Sequence, residues 1–221
     1  MLRRIRTAVK ERRTRRLYPF LYDDEVQLPR LAAMAERTAG RSMAIVGNAE
    51  SIFSARWGEA IDQHDVVIRI NRGFPRRPES QGRRTDLLCL ATKIDPEEIE
   101  REFGKAPVIF VSFYRSNMSD GMMAESKSLI CYPFGAWKAL SKQIDGGFPS
   151  AGLKAIDIAR RFLSARSVAL FGFDWKATKT FYRDELKLGV HDWAAEKKLI
   201  HRWATEGWLR LPTAKETDAK L

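Results

Sequence analysis

The sequence is poor in cysteine and histidine, and it has no long apolar run. Only 2 Cys and 3 His occur among 221 residues, and none of them stand at the spacing of a metal site. No stretch of about eighteen apolar residues is present, and the first residues, MLRRIRTAVKERRTRR, lack the apolar block of a signal peptide. We therefore expect a cytoplasmic protein without a bound metal ion or other cofactor.

The two cysteines fit a packing role. Cys89 and Cys131 lie in DLLCLA and SLICYP, apolar runs that are typical of buried strands. A buried thiol behaves as a small hydrophobic side chain, and a disulfide would require the two strands to be neighbours in an oxidising compartment. The sequence predicts two reduced, buried thiols.

The positive charge is concentrated at one end. The net charge is +11, and residues 1–16 hold eight basic residues against one acidic residue. The remaining residues are only mildly basic, which argues against a nucleic-acid-binding module, the alternative that a pI of 9.9 and six tryptophans suggest. Leu2, Ile5 and Val9 have helical spacing, so residues 1–22 either contact the anionic inner face of a membrane or form a solvated arm.

From residue 43 onward, short apolar runs alternate with helical patterns, which predicts an α/β fold. We divide the chain into a basic N-terminal arm, residues 1–40, and a single Rossmann-like domain, residues 41–221, with a mostly parallel sheet flanked by helices. Helices are expected from Pro149-Ser150 to Leu163 and from about Asp192 to about Glu206. Predicted strands cover residues 43–46, 66–70, 87–91, 108–113, 129–132 and 168–173.

Two asparagines follow two predicted strands. Gly47-Asn48 ends the first strand, and Asn71-Arg72 ends the second. Open α/β sheets bind nucleotides at the carboxyl ends of their strands, where these amides would converge. The local alternative is a tight turn with Asn48 as a helix cap. Neither the three-glycine dinucleotide fingerprint nor a phosphate loop ending in Gly-Lys-Ser/Thr is present.

The helix that opens at Pro149-Ser150-Ala151-Gly152 offers a second polar site. The first amides of a helix are unpaired and favour anions. Ser150 therefore either contributes to an anion site or is a helix cap alone.

Several segments resemble the sialyltransferases of glycosyltransferase family 29. Residues 44–74 resemble the long sialylmotif, with Val46-Gly47-Asn48, Ile61-Asp62, His64-Asp65 and Arg69-Ile70-Asn71-Arg72, and Gly82-Arg83-Arg84-Thr85-Asp86 resembles its close. Pro149, Ser150, Gly152 and Gly172-Phe173 resemble the short sialylmotif. His191 and Glu196 resemble the very short motif, a His followed by four residues and a Glu. Thr180-Phe181-Tyr182-Arg183-Asp184 resembles motif III without its leading His.

The resemblance implies a GT-A-like Rossmann fold and the inverting transfer of an acidic nine-carbon sugar, sialic acid, from a CMP donor to a hydroxyl of a glycan or glycolipid acceptor. It implies that His191 is the general base, since a neutral imidazole suits the proton-accepting step. His64 and His201 are expected to be structural and surface residues. The implied nucleotide- and donor-binding residues are Asn48, Asn71, Ser150, Gly152, Gly172 and Phe173, supported by Gly47, Arg72, Glu196 and Tyr182.

Two departures and several alternatives accompany the resemblance. The positions that match the family's disulfide are Met43 and Ala165, which fits a reducing compartment. The donor is either CMP-sialic acid or CMP-Kdo or another CMP-ulosonate, and Arg72, Arg83, Arg84 and Lys176 are candidates to pair with the sugar carboxylate. The missing motif III His leaves open a protein that binds CMP without transferring sugar. Residues 114–127 and 176–190 are the expected acceptor loops, and the absence of Asp-x-Asp suits a metal-independent reaction.

Overall fold

The computed structural model describes residues 23–213. Its strands are β1 Ser42–Val46, β2 Val66–Ile70, β3 Leu87–Leu90, β4 Val108–Phe110, β5 Ile130–Cys131, β6 Ser167–Phe171 and β7 Leu209–Arg210. Its α-helices are α1 Asp24–Thr38, α2 Gly58–Asp62, α3 Pro78–Gln81, α4 Pro96–Phe103, α5 Asp120–Ala124, α6 Phe134–Gln143, α7 Ala151–Asp157 and α8 Trp193–Thr205. Short 3-10 helices cover Glu50–Ser54 and Arg115–Asn117, and a π-helical turn, Ile158–Phe162, continues α7.

The strands form one parallel sheet in the order β5-β4-β3-β2-β1-β6-β7. The α/β prediction with a parallel sheet is confirmed, and each of the six predicted strands is present. β7 was not predicted because two residues are too few to show a period.

The order of the strands changes direction at β1. Strands β2 to β5 lie on one side of β1, and β6 and β7 lie on the other, so the direction of winding changes between β1 and β6. A crevice for ligands is expected at this point, at the carboxyl ends of the strands.

Apolar side chains cover both faces of the sheet. The larger core cluster includes α6, α7 and α8, and the smaller one includes Ile52, Trp57 and Ile61. Arg69 of β2 is fully buried, and its guanidinium donates to the carbonyl oxygens of residues 81, 82 and 84. Desolvation lowers the pKa of Arg69 to about 10. The arginine within the long-sialylmotif segment therefore fixes the loop at that segment's close.

Residues that the sequence analysis grouped with the basic arm contribute to the packed domain. Leu31 of α1 is fully buried, and Gln27 accepts a hydrogen bond from the Cys131 amide at 2.8 Å. The folded part of the described chain thus includes α1. Residues 1–22, for which the sequence leaves membrane contact and a solvated arm as alternatives, lie outside the described residues. Between residues 23 and 213, no helix combines the length and apolarity that a bilayer span needs.

Both cysteines are free and buried, as predicted. β4 separates their strands, and burial raises the pKa of each thiol to about 12. Met43 and Ala165, the positions that match the family's disulfide, lie close to two neighbouring backbone segments. These segments are joined by hydrogen bonds from the Gly40 amide to Ser164 O and from the Arg166 amide to Arg41 O. Met43 is fully buried in β1.

Candidate active site

One cavity of about 490 Å³ opens at the carboxyl ends of β1, β2 and β6, a volume suited to a small ligand. Segments more than a hundred residues apart in the sequence meet there. Of the eleven predicted site residues, ten line this cavity: Gly47, Asn48, Asn71, Ser150, Gly152, Gly172, Phe173, Tyr182, His191 and Glu196. The fold therefore brings the long, short and very short motif segments to one place.

The two strand-end asparagines are fixed by hydrogen bonds to backbone groups. Asn71 has a left-handed φ of 51°, and its Oδ1 accepts from the Ala91 amide at 2.7 Å. The Asn48 Nδ2 donates to Ile70 O at 2.8 Å, while the Asn48 Oδ1 is buried without a hydrogen-bond partner. This buried Oδ1 faces Gly73, where an added Cβ would lie 2.6 Å from it.

Two glycines, Gly47 and Gly152, provide the seat of the Phe173 ring. A Cβ at Gly47 would lie 2.4 Å from Gly172 O and 2.9 Å from the Phe173 ring, and a Cβ at Gly152 would also lie 2.9 Å from that ring. Gly172 has a φ of +69°, which favours glycine. Gly47 therefore allows close packing of β1 against β6 and Phe173, in addition to any approach to a ligand.

Ser150 caps α7 and is held by Glu196. The Ser150 hydroxyl accepts from the Leu153 amide at 3.1 Å and donates to Glu196 Oε2 at 2.7 Å. The Ser150 amide donates to Glu196 Oε1, also at 2.7 Å. Glu196 is 2% exposed, and burial raises its pKa to about 7 against the lowering effect of these hydrogen bonds. Near neutral pH the Glu196 carboxyl is thus close to its titration midpoint.

His191 has the geometry of a neutral base. Its Nδ1 lies 2.8 Å from Phe148 O, and because a carbonyl only accepts, Nδ1 carries the proton and Nε2 is an acceptor. Burial lowers the pKa of His191, and the positive charges of Lys154 and Lys176 lower it further. The ring packs 5.1 Å from the ring of Trp193.

The spacing of the very short motif now has a physical reason. His191 holds the carbonyl of Phe148, and Glu196, one turn into α8, holds the amide and hydroxyl of Ser150. The two residues together fix the three-residue segment that leads into α7.

The aromatic pair of the motif III segment is divided between core and cavity. Phe181 packs on Phe53 at 5.3 Å within the smaller core cluster. Tyr182 borders the cavity, and its hydroxyl lies 3.4 Å from Asn48 Nδ2. Burial raises the Tyr182 pKa, so the phenol stays neutral.

Among the four cations considered for a sugar carboxylate, only Lys176 borders the cavity. Its Nζ donates to Thr180 Oγ1 at 2.6 Å. Arg72 does not line the cavity, and its guanidinium binds Glu98 at 2.7 Å and Lys93 O at 3.0 Å. Arg84 binds the carbonyls of residues 62, 64 and 65. Arg83, next to it in the loop, is likewise absent from the lining.

Other lining residues were given no role by the sequence analysis. Lys154 is the main one, a lysine of α7 that is 2% exposed and borders the cavity. Lys154 stands four residues after Ser150, and residues four apart lie on the same face of a helix. This spacing could have predicted that both side chains lie at the same cavity.

The expected acceptor loops both reach the cavity, through Tyr114 and Asn117 and through residues 176–190. Within residues 23–213, no group of three His, Cys, Asp or Glu could hold a metal ion.

Comparison with known proteins relates this cavity to a family. The model of glycosyltransferase family 29 (sialyltransferase) matches residues 21–93, about a third of the chain. No curated protein matches the sequence.

Solved sialyltransferase structures share the fold. A mammalian sialyltransferase aligns with a TM-score of 0.60 and 18% identity, over 84% of this chain and 78% of that one. A mammalian sialyltransferase in complex with Gal-beta-1-3GalNAc-ortho-nitrophenol aligns with a TM-score of 0.60 and 17% identity, over 93% and 85% of the two chains. The sialyltransferase CstII from Campylobacter jejuni, in complex with a substrate analogue, cytidine-5'-monophosphate, gives 0.53 and 10%, over 78% and 79%.

The structural matches establish the shared α/β fold with its single parallel sheet. The family match adds that residues 21–93, which contain the long-motif segment, are similar to the family 29 sialyltransferases.

Proposed function

We propose that this glycosyltransferase moves an acidic nine-carbon sugar of the sialic acid type from a CMP donor to a glycan hydroxyl, with inversion at the anomeric carbon. The observation that carries the proposal is the cavity itself. A neutral imidazole with an accepting Nε2, two strand-end asparagines and the start of α7 border the same space. The CMP complex and the glycan-analogue complex of the two neighbours are consistent with such a donor and acceptor.

The proposed step uses His191 as the general base. The acceptor hydroxyl gives its proton to Nε2 while its oxygen forms a bond to the anomeric carbon, and the bond from that carbon to the phosphate oxygen breaks as CMP leaves. The low pKa of His191 keeps the imidazole neutral and ready at pH 7. Attack from the face opposite the phosphate inverts the configuration.

The departing phosphate requires donors that are already in place. We assign this role to the first amides of α7, at residues 151 and 152, which a helix leaves unpaired. Ser150 fixes the start of the helix through its bonds to Leu153 and Glu196. Asn48, Asn71, Gly172 and Phe173 are proposed to bind the nucleotide, and Tyr182 to support Asn48.

A thermal-shift screen against CMP, UDP, GDP and NAD tests the nucleotide. We expect CMP alone to raise the Tm. Stabilisation by UDP with no effect of CMP would contradict the donor assignment.

CMP release from CMP-sialic acid and from CMP-Kdo then tests the sugar and the chemistry. We expect faster release from CMP-sialic acid, with no change in excess EDTA because a single phosphate does not demand a divalent ion. Faster release from CMP-Kdo would support the ulosonate alternative, and CMP binding without release from either donor would support a binding protein without transferase activity.

A further inference from the structure

Lys154 is a buried ammonium at the edge of the cavity. The side chain is 2% exposed and projects from α7, one turn after Ser150. Its Nζ donates to Val111 O and lies 5.9 Å from the ring of Phe113 and 5.6 Å from the ring of Phe148. Its direct contacts among the described residues are therefore one hydrogen bond and two nearby aromatic rings.

No carboxylate neutralises this charge directly. In the part of the chain that the structure describes, no carboxylate lies within ion-pair distance of Lys154. Glu196 interacts with it electrostatically, but both Glu196 oxygens bind Ser150. An ammonium buried without a paired anion is costly.

Two other basic residues of the core and cavity have more acceptors or more exposure than Lys154. The buried Arg69 donates to three carbonyl oxygens and to the Thr85 hydroxyl. Lys176 is half-buried and has a hydroxyl acceptor. The Arg69 Nη1 is also buried without a partner, but Arg69 does not line the cavity. Lys154 alone of these three combines near-complete burial, a place in the cavity lining and two N–H groups for which the described residues provide no acceptor. The cavity is the remaining direction from which an acceptor can come.

We propose that the Lys154 ammonium pairs with an oxyanion of the bound donor, either its phosphate or its sugar carboxylate. The inference rests on the proposed function and adds to it a residue that selects acidic donors. An anion in the cavity would complete the coordination of the ammonium and restore local neutrality. In the unliganded protein the unpaired buried charge is destabilising, and the bound anion offsets this free-energy cost.

The decisive experiment measures binding of cytidine, CMP and CMP-sialic acid by calorimetry. The variants are Lys154→Met, which removes the charge, and Lys154→Gln, which removes the charge but can still donate to Val111 O. Lys142→Met, on the exposed side of α6, is the matched control for loss of one positive charge. Loss of one charge-assisted contact is expected to weaken binding about 10- to 100-fold.

The pattern across the three ligands identifies the anion. If Lys154 binds phosphate, both variants lose affinity for CMP and CMP-sialic acid but keep affinity for cytidine. If it binds the sugar carboxylate, only CMP-sialic acid is affected. Unchanged binding of all three overturns the inference and leaves the proposed function intact, whereas absence of CMP binding by the wild type overturns both.

A structural role for Lys154 gives a different result. It predicts a lower Tm and an equal loss for all three ligands, cytidine included. It also predicts that Lys154→Gln recovers wild-type binding, since the bond to Val111 is kept. Either of these results overturns the inference. An anion-binding role predicts that Lys154→Met is at least as stable as the wild type without ligand.

Proton uptake provides a measurement on the wild type that does not depend on the folding of a variant. Burial lowers the Lys154 pKa to about 8, and a paired anion would raise it. The groups that face Lys154 are Glu196, with a pKa of about 7, His191, with a lowered pKa, and the Cys89 thiol, with a pKa of about 12. At pH 8, binding of the recognised anion should take up roughly half a proton, while cytidine takes up none. The uptake should persist in Lys176→Met, and its absence in the wild type would refute the pairing.

Discussion

The cavity has two unlike sides. The strand-end side, residues 47, 48, 71, 172 and 173, consists of amides, backbone and one aromatic ring, with no ionisable side chain. The helix side, residues 150, 154, 191 and 196, contains three ionisable groups. Burial moves the pKa of each of them toward neutrality or, for His191, below its usual value.

The difference separates recognition that is independent of pH from groups whose charge depends on pH. Neutral amides and a ring seated on glycines can distinguish a ligand by shape and hydrogen bonding at any pH at which the fold persists. Groups that gain and lose protons near neutrality can move a proton or balance a charge. Changes to the helix side should therefore have effects that depend on pH, on turnover for His191 and on donor binding for Lys154, whereas changes to the strand-end side should affect binding alone and independently of pH.

The largest effect is expected for His191. We expect His191→Ala to lower kcat for CMP-sialic acid about 10²- to 10⁴-fold and to change CMP affinity by less than about twofold, since the imidazole acts on the acceptor proton. His191→Gln, whose amide can still donate to Phe148, should be as inactive, and His201→Ala should resemble the wild type. A wild-type rate that declines only below pH 6.5 would agree with the lowered His191 pKa. An active His191→Gln would show that the residue only positions Phe148.

Glu196 should make the stability of the protein depend on pH. Its pKa rises from 4.5 to about 7 on folding, so between these values the folded state binds more protons than the unfolded state. Relative to Glu196→Gln, the wild type should lose stability as the pH rises from 4.5 to 7, by on the order of 3 kcal/mol in total. Urea denaturation at several pH values measures this difference.

Glu36→Gln, an exposed site on α1, is the control for the Glu196 measurement and should show no such trend. A wild-type stability that rises with pH relative to Glu196→Gln would contradict the raised pKa.

The smallest effect is expected on the strand-end side. Asn48→Ala removes one neutral amide from the cavity, and a single hydrogen bond contributes about 1 kcal/mol, so CMP should bind about 3- to 10-fold more weakly. Calorimetry at pH 6 and pH 8 should give the same ratio, and Gln63→Ala on the surface should have no effect. If the ratio of the CMP dissociation constants of Asn48→Ala and the wild type changes strongly with pH, the proposed distinction between the two sides of the cavity is wrong.

Local sequence predicted a residue's role correctly where that role depends only on the helix or strand that contains the residue. The six predicted strands, and the helices that begin near Ser150 and Asp192, follow from periodicity and capping. Arg72 shows the limit, because its place at a strand end suggested a ligand contact, yet its side chain binds Glu98 and lies outside the cavity lining. The direction of a long side chain depends on partners that are distant in the sequence.

The sequence by itself determined the α/β architecture, the reduced cysteines and the set of motif residues, because these depend on short-range patterns of apolar and polar positions. Only the tertiary structure decided that Glu196 holds Ser150, that Phe173 rests on Gly47 and Gly152, and that Lys154 is buried without a carboxylate partner. These contacts join residues from separate strands and helices. Their electrostatic consequences arise from burial, which exists only once the sheet and helices have packed.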